Sequence, residues 1–241
     1  MQRLIFPFTS GMIICGYKVA IYQAPPPTGW GFPHYGIDVS SIQGGQRTSD
    51  HIVRASGDGE VVWCTTDKPS SGASSLGWAL AVRYNDCLSR HGETKDLIVS
   101  YMHSGECYVK LGDKVKAGDP LLLEGKVGTK DYHVHIEMDT DCKFPQYTPQ
   151  VSAGHSGWKK GTDSTVNPSF WLWQDSGHKQ VPYNYSSKAW INACDEALPF
   201  VPAESELSER VNTLEKENAS LKAEIAALRS RLTQIYEIAK G

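Results

Sequence analysis

The amino-acid sequence predicts a mainly β protein: an antiparallel β-sheet domain followed by a C-terminal α-helical coiled coil. Three observations predict it. Across residues 1–143, short apolar segments recur between glycine, proline and polar turns, with no helical period. In one of them, DYHVHIEMD (131–139), Val134, Ile136 and Met138 alternate with His133, His135 and Glu137, as the two faces of a strand do. After Pro202 the pattern changes to a strict seven-residue apolar repeat without proline or interior glycine.

The elements follow in order. MQRLIFPFTSGMIICGYKVAIYQ reads as the first strands rather than a targeting signal, because Pro7, Thr9, Ser10 and Gly11 interrupt its apolar run and no small-residue cleavage site follows. Cys15 follows Ile14, which argues against a lipid-modified cysteine. HIVRA, GEVVWC, WALAVRY, LIVSYMH, DPLLLEG and YHVHIEM are the next strands. KPSSGASSLG (68–77) is a flexible loop between two of them, and NDCLSRHGETKD (85–96) is a long connection between two more. Residues 144–203 are rich in Pro, Ser, Asn and aromatics, with Trp158, Trp171, Trp173 and Trp190; irregular structure packed on the domain is expected, with a short helix near 187–197. The boundaries are therefore a β domain over 1–175, a connector over 176–203 and a coiled coil over 204–240.

The last segment is the most explicit. Leu207, Leu214, Leu221, Leu228 and Ile235 take one heptad position, and Val211, Asn218, Ile225 and Leu232 take the other. A lone Asn among apolar residues is satisfied by its mate in a parallel, in-register pair. In such a pair Arg210 faces Glu215 of the partner helix, Glu217 faces Lys222 and Glu224 faces Arg229, all opposite in sign. A parallel homodimer through residues 205–238 is expected.

Bulk properties exclude several classes. The 241 residues suit one medium domain plus an appendage, or two small domains. A formal net charge of -3 gives no electrostatic case for nucleic acid, and no apolar run approaches the roughly 20 residues that cross a bilayer. The 6 cysteines contain no C-x-x-C pair, so neither a zinc ribbon nor a small disulfide scaffold is indicated; thiols, and disulfides formed after release from the cell, both fit.

Two histidines separated by one residue leave a strand on the same side, close enough to share a metal ion or a reacting group; a histidine-rich exposed strand edge is the plainer reading. Other donors favour the metal. In GFPHYGIDVSS (31–41), His34 and Asp38 flank a Tyr-Gly-Ile turn, and His103 ends LIVSYMH. His34, Asp38 and one histidine of the pair make three protein ligands with an open fourth position, the pattern of catalytic zinc. The other histidine and His103 remain for acid–base or oxyanion roles. His51, His91, His155 and His178 sit in no such pattern and are read as surface or loop residues.

At these residues the chain resembles the lysostaphin-type (M23) zinc endopeptidases that cut peptidoglycan peptides. The resemblance runs through FTSG (8–11), HYGIDVS, ASGDGEVVW, YMHSG, VKLGDKVKAGDPLLLEGKVG, the H-x-H pair and DSTVNPSFWLW (163–173), covering most of residues 5–173. It implies a lysostaphin/LytM-like β-sheet peptidase domain with Zn2+ held by His34, Asp38 and His135. It makes His133 the general base, with His103 assisting it or stabilising the tetrahedral intermediate. Glu137, on the same strand face, is either a partner orienting an imidazole or a solvated carboxylate. TKDY (129–132) replaces the family's usual Ser/Thr/Gly-rich turn, and 85–96 is longer than usual, so the ligand set is complete while substrate preference is open. The implied function is hydrolysis of bacterial peptidoglycan. With no signal peptide expected, a released phage lysin or virion-associated hydrolase fits best, acting at the wall without nucleic-acid or membrane partners. The alternative is a virion or envelope structural protein that keeps the fold for binding and assembles through the coiled coil.

Overall fold

Strand alternation builds a central antiparallel sheet in the computed structural model, which describes residues 1–43, 46–47, 51–64, 78–142, 163–175, 198–199, 201–202 and 204–240. The strands are β1 (Leu4–Ile5), β2 (Met12–Cys15), β3 (Gly36–Ser40), β4 (Ile42–Gln43), β5 (Gln46–Arg47), β6 (Ile52–Arg54), β7 (Gly59–Cys64) and β8 (Trp78–Leu88). They continue as β9 (Thr94–Ser104), β10 (Glu106–Cys107), β11 (Lys114–Val115), β12 (Pro120–Leu123), β13 (Val134–Asp139), β14 (Thr165–Val166) and β15 (Leu172–Trp173). A single helical turn, α1, spans Ala20–Gln23, and the long helix α2 spans Glu204–Lys240. The chain divides into two units, Met1–Val201 and Pro202–Gly241.

The main sheet has the order β11-β7-β8-β9-β13-β3-β2, with β14 added on β13. Every pairing in it is antiparallel. Among the described strands, β1 pairs in parallel with β15. Val82, Tyr84, Val99, Tyr101, Ile37 and Ile136 all enter one core cluster. Val53, Leu121 and Leu122 from the β10-β12-β6 sheet, and Leu4 and Leu172 from the β1–β15 pair, belong to the same cluster. Each such side chain contributes roughly 1.5–3 kcal/mol when fully buried. The result is a two-layer domain whose sheet has an opposite face left for chemistry.

All six expected segments are strands: Ile52–Arg54, Gly59–Cys64, Trp78–Leu88, Thr94–Ser104, Pro120–Leu123 and Val134–Asp139. Three expectations change. Residues 85–96 are mostly the ends of β8 and β9, which pair out to Leu88 and Thr94, so only Ser89–Glu93 turns. The hairpin absorbs its irregularity in a register shift between Tyr84 and Cys87, where Asp86 has φ 52°. The Tyr-Gly-Ile "turn" between His34 and Asp38 is extended chain leading into β3; four residues of extended backbone return a side chain to the same face. The strand-edge reading of 131–139 also fails, because β13 lies inside the sheet between β9 and β3 and is buried throughout. The loop at 68–77 and the helix near 187–197 lie outside the described residues, as do Trp158, Trp190, His155, His178 and Cys194.

Gly112 and Gly118 have φ 88° and 90°, conformations open to glycine and strained for other residues. Each precedes an aspartate that folds back on the lysine three residues earlier: Lys110 N–H donates to Asp113 Oδ2 at 3.0 Å and Lys116 N–H to Asp119 Oδ2 at 2.8 Å. The repeated Lys-x-Gly-Asp turns set β11 and β12 in place.

In the second unit, α2 is built from strong helix formers and contains neither proline nor glycine over Glu204–Lys240. Its heptad residues are exposed, from 37% at Leu207 to 69% at Leu232.

Candidate metal centre

Three central strands bring the predicted residues together. β13 places His135 opposite Asp38 of β3 on one side and opposite Met102 of β9 on the other. His34 enters just before β3, and His103 follows Met102 in β9. His34 Nε2, Asp38 Oδ1 and His135 Nδ1 then converge: the separations are 3.1 Å (His34–Asp38), 3.0 Å (His135–Asp38) and 3.1 Å (His34–His135). Ligands at zinc distances of ~2.0–2.1 Å in a tetrahedron lie roughly 3.3–3.4 Å apart, so this spacing suits one small ion.

The remaining ring nitrogens fix what the converging atoms present. His34 Nδ1 lies 2.8 Å from the Gly16 carbonyl, which only accepts, so the proton sits there and Nε2 turns a lone pair inward. His135 Nε2 faces Glu137 Oε2 at 3.5 Å, which assigns its proton outward in the same way. Glu137 is buried, so the solvated-carboxylate reading does not hold. In these neutral tautomers two lone pairs and a carboxylate oxygen point at one another. Such a set is satisfied by a cation.

Without a cation, protons take its place among these groups. Burial disfavours a charged His34, but the Asp38 carboxylate outweighs it and pushes the imidazole up to about 10. Burial also opposes charge on His135, and Asp38 with Glu137 raises it to about 9. Burial alone would raise Asp38; His34, His133 and His135 instead hold it well below the usual carboxylate range. Glu137 is pushed up to about 6 by burial, against the pull of His135.

His133 and His103 complete the cluster. Their rings lie 5.0 Å apart, and His103 is 6.2 Å from the His135 ring. His133 Nδ1 donates to the Asp131 carbonyl at 3.0 Å, leaving Nε2 as an acceptor 3.7 Å from Asp38 Oδ1. His103 Nδ1 donates to the Val127 carbonyl at 2.9 Å, and burial with the neighbouring His135 and His133 pushes its pKa down to about 4. His103 has φ 69°, a left-handed backbone that a histidine adopts at a cost of order 1–3 kcal/mol. Strain of that kind concentrates at functional sites.

Gly36 permits the closeness of β3 and β13. A Cβ there would stand 2.2 Å from the Ile136 carbonyl oxygen and 2.8 Å from His135 Nε2.

Two features escaped the sequence reading. Cys15 Sγ approaches His34 Nδ1 at 3.4 Å, and Cys15, His34 and Asp38 form a group whose ligand atoms lie within 4.8 Å. The thiol meets the ring nitrogen whose proton goes to Gly16, so it backs the triad rather than joining it. His51 is buried rather than superficial: its Nδ1 lies 2.6 Å from Ser41 Oγ and 2.8 Å from Glu124 Oε2. Ser41 Oγ also bonds Glu124 Oε2, while its backbone N–H donates to Glu124 Oε1 at 2.9 Å. Because both partners meet the same nitrogen of His51, this is a packing network and not a nucleophile relay. His51 and Glu124 line a cavity of about 270 Å3 that also includes Glu106, Lys126, Val127 and Tyr132, adjoining the carbonyl that holds His103 and the residue before His133. Among the described cysteines, Cys15, Cys64, Cys87, Cys107 and Cys142 stand as thiols.

No family model matches the chain. Among solved structures, the SpoIIQ–SpoIIIAH pore-forming complex aligns with 71% of this chain and 92% of its own, at 18% identity and TM-score 0.44. The catalytic domain of the prophage-encoded M23 protein EnpA from Enterococcus faecalis aligns over 54% of this chain and 84% of its own, at 24% identity and TM-score 0.36. The catalytic domain of lysostaphin from Staphylococcus simulans aligns over 54% and 81%, at 23% identity and TM-score 0.36.

Proposed function

We propose that this protein is a zinc-dependent endopeptidase of the lysostaphin type, hydrolysing peptide bonds in bacterial peptidoglycan during phage-associated wall lysis. The observation that carries the chemistry is the convergence of His34 Nε2, Asp38 Oδ1 and His135 Nδ1 at 3.0–3.1 Å, with His34 Nδ1 held by the Gly16 carbonyl and His135 Nε2 facing Glu137 at 3.5 Å. His34, Asp38 and His135 would hold the metal, two neutral nitrogens and one carboxylate oxygen. Zinc bound there supplies a Lewis acid for the peptide carbonyl and a water acidified towards neutral pH. His133 presents an unprotonated Nε2 beside Asp38, the position from which to take the proton of the attacking water and return it to the leaving amine. His103 spends its only N–H on Val127 and stays neutral at pH 7, so it serves as an acceptor that orients the water rather than as an oxyanion donor. Glu137 holds the His135 ring. The wall substrate rests on the ordered motifs. Among the described residues, no helix is long and apolar enough to cross a membrane.

The test pairs metal analysis with lysis. The purified chain should carry about one zinc and clear wall suspensions, and a chelator should abolish clearing. Zinc-loaded protein inert on walls of every cross-link type would favour the structural, wall- or virion-binding reading instead.

A further inference from the structure

The heptad residues of α2 are exposed along the helix: Leu214, Leu221 and Leu228 are 46%, 59% and 56% exposed, and Val211 and Ile225 about half exposed. A run of this length is far more apolar surface than a lone soluble helix keeps open. We propose that its occupant is a second copy of the same helix, parallel and in register. Three independent features choose this occupant over others.

The first is side-chain shape. Leucine recurs at the position that follows the β-branched Val211 and Ile225 by three residues, the arrangement that packs as two strands rather than three or four. The second is Asn218. In the parallel register it meets Asn218 of the partner subunit, and the two amides satisfy one another. In an antiparallel alignment of the same seam it meets Leu221 and is left buried without a partner. The third is charge. The parallel register sets Arg210 against Glu215, Glu217 against Lys222 and Glu224 against Arg229, each pair occurring twice by symmetry. The antiparallel alignment sets Glu217 against Glu224 and Arg210 against Arg231, like-signed along one flank, and keeps an attractive Glu215–Lys222 pair on the other.

The experiment uses the full chain. Sedimentation at micromolar concentration should give twice the 26.6 kDa chain mass; a monomer or a trimer overturns the proposal. V211C, mildly oxidised, should yield the symmetric 211–211 disulfide by peptide mapping, because only a parallel in-register pair brings those positions together. A dimer that forms no such bond is not parallel and overturns the orientation. E217K should raise the dissociation constant about tenfold, since two attractive pairs become repulsive, and adding K222E should restore it. Rescue separates pairing across the interface from mere loss of helix; no rescue overturns the register. N218L should stay helical while losing strict dimerisation to higher oligomers, and an unchanged dimer would overturn the role given to Asn218.

Discussion

His34 and His135 meet at Asp38 because strand pairing sets them there and the outer nitrogen of each ring faces an acceptor, Gly16 or Glu137, and that division of labour makes their substitution effects separable. H34A or H135A removes a converging lone pair and should lose both zinc and activity, measured by metal analysis beside turbidity clearing; full zinc in H135A would refute the ligand set. H133A should behave differently, keeping zinc while lysis falls roughly 10²–10⁴-fold, and zinc loss there would mean the two strand histidines have exchanged roles. E137Q tests the buried carboxylate behind His135: removing its charge should weaken zinc affinity about 10–100-fold with the fold intact. Protons compete with the metal, and the sign follows from the folded pKa values. Asp38 raises His34 to about 10 and His135 to about 9, so at pH 7 the metal-free site holds protons that zinc must displace. Calorimetry in buffers of different ionisation enthalpy should show at least one proton released per zinc at pH 7. Absence of release would contradict the protons placed on His34 and His135 in the metal-free site. In the metal-free protein those raised values contribute stability that is full below the ordinary histidine pKa near 6.5 and is lost as pH climbs through 9–10.

At the scale of elements, the site depends on how closely β3 and β13 approach. Gly36 sits opposite Glu137 in that pairing, and a methyl group there collides with the Ile136 carbonyl. G36A should therefore destabilise the domain by roughly 1–3 kcal/mol in urea unfolding, the usual weight of overpacking, and weaken zinc binding in step because His135 Nε2 is displaced. A variant with unchanged stability and metal affinity would show that the two strands have slack. The strands themselves were legible because their signals are local: YHVHIEM alternates apolar and polar side chains, and LIVSYMH is a short β-branched and aromatic run bounded by polar residues. The ligands were legible because His-x-His and His-x-x-x-Asp keep one face in extended chain. What stayed hidden depends on distant partners. The carbonyls of Gly16, Asp131 and Val127 select the histidine tautomers, and every residue has a carbonyl, so no residue type announces them. His51 meets Ser41 and Glu124 across 10 and 73 residues of sequence, a separation at which no periodicity can pair them. The 85–96 segment misled for a related reason: its polar composition reads as loop, whereas the hairpin ends send Cys87 into the core and leave Asn85, Asp86 and Thr94–Asp96 exposed.

For the whole molecule, the heptad helix and the metal centre make different demands, and a functional measurement can tell them apart. A peptidoglycan wall is a polymer with many equivalent peptides, so two catalytic domains joined by one stalk would rebind before both let go; each unit raises the other's effective concentration without any new contact. A short soluble peptide offers one bond and gains nothing from the second domain. A full-length variant carrying Leu221→Glu and Leu228→Glu puts like charges into the seam and should be monomeric while leaving the Met1–Val201 unit untouched. Its turnover of a soluble peptide per active site should match that of the native chain. On intact walls at nanomolar enzyme its lysis should fall by an order of magnitude or more, with the gap closing as enzyme concentration rises into the range where single domains bind on their own. Both assays are needed. Equal loss on peptide and wall would place the helix in the support of catalysis rather than in tethering, and equal retention on both would mean that the paired domains do not engage the wall together.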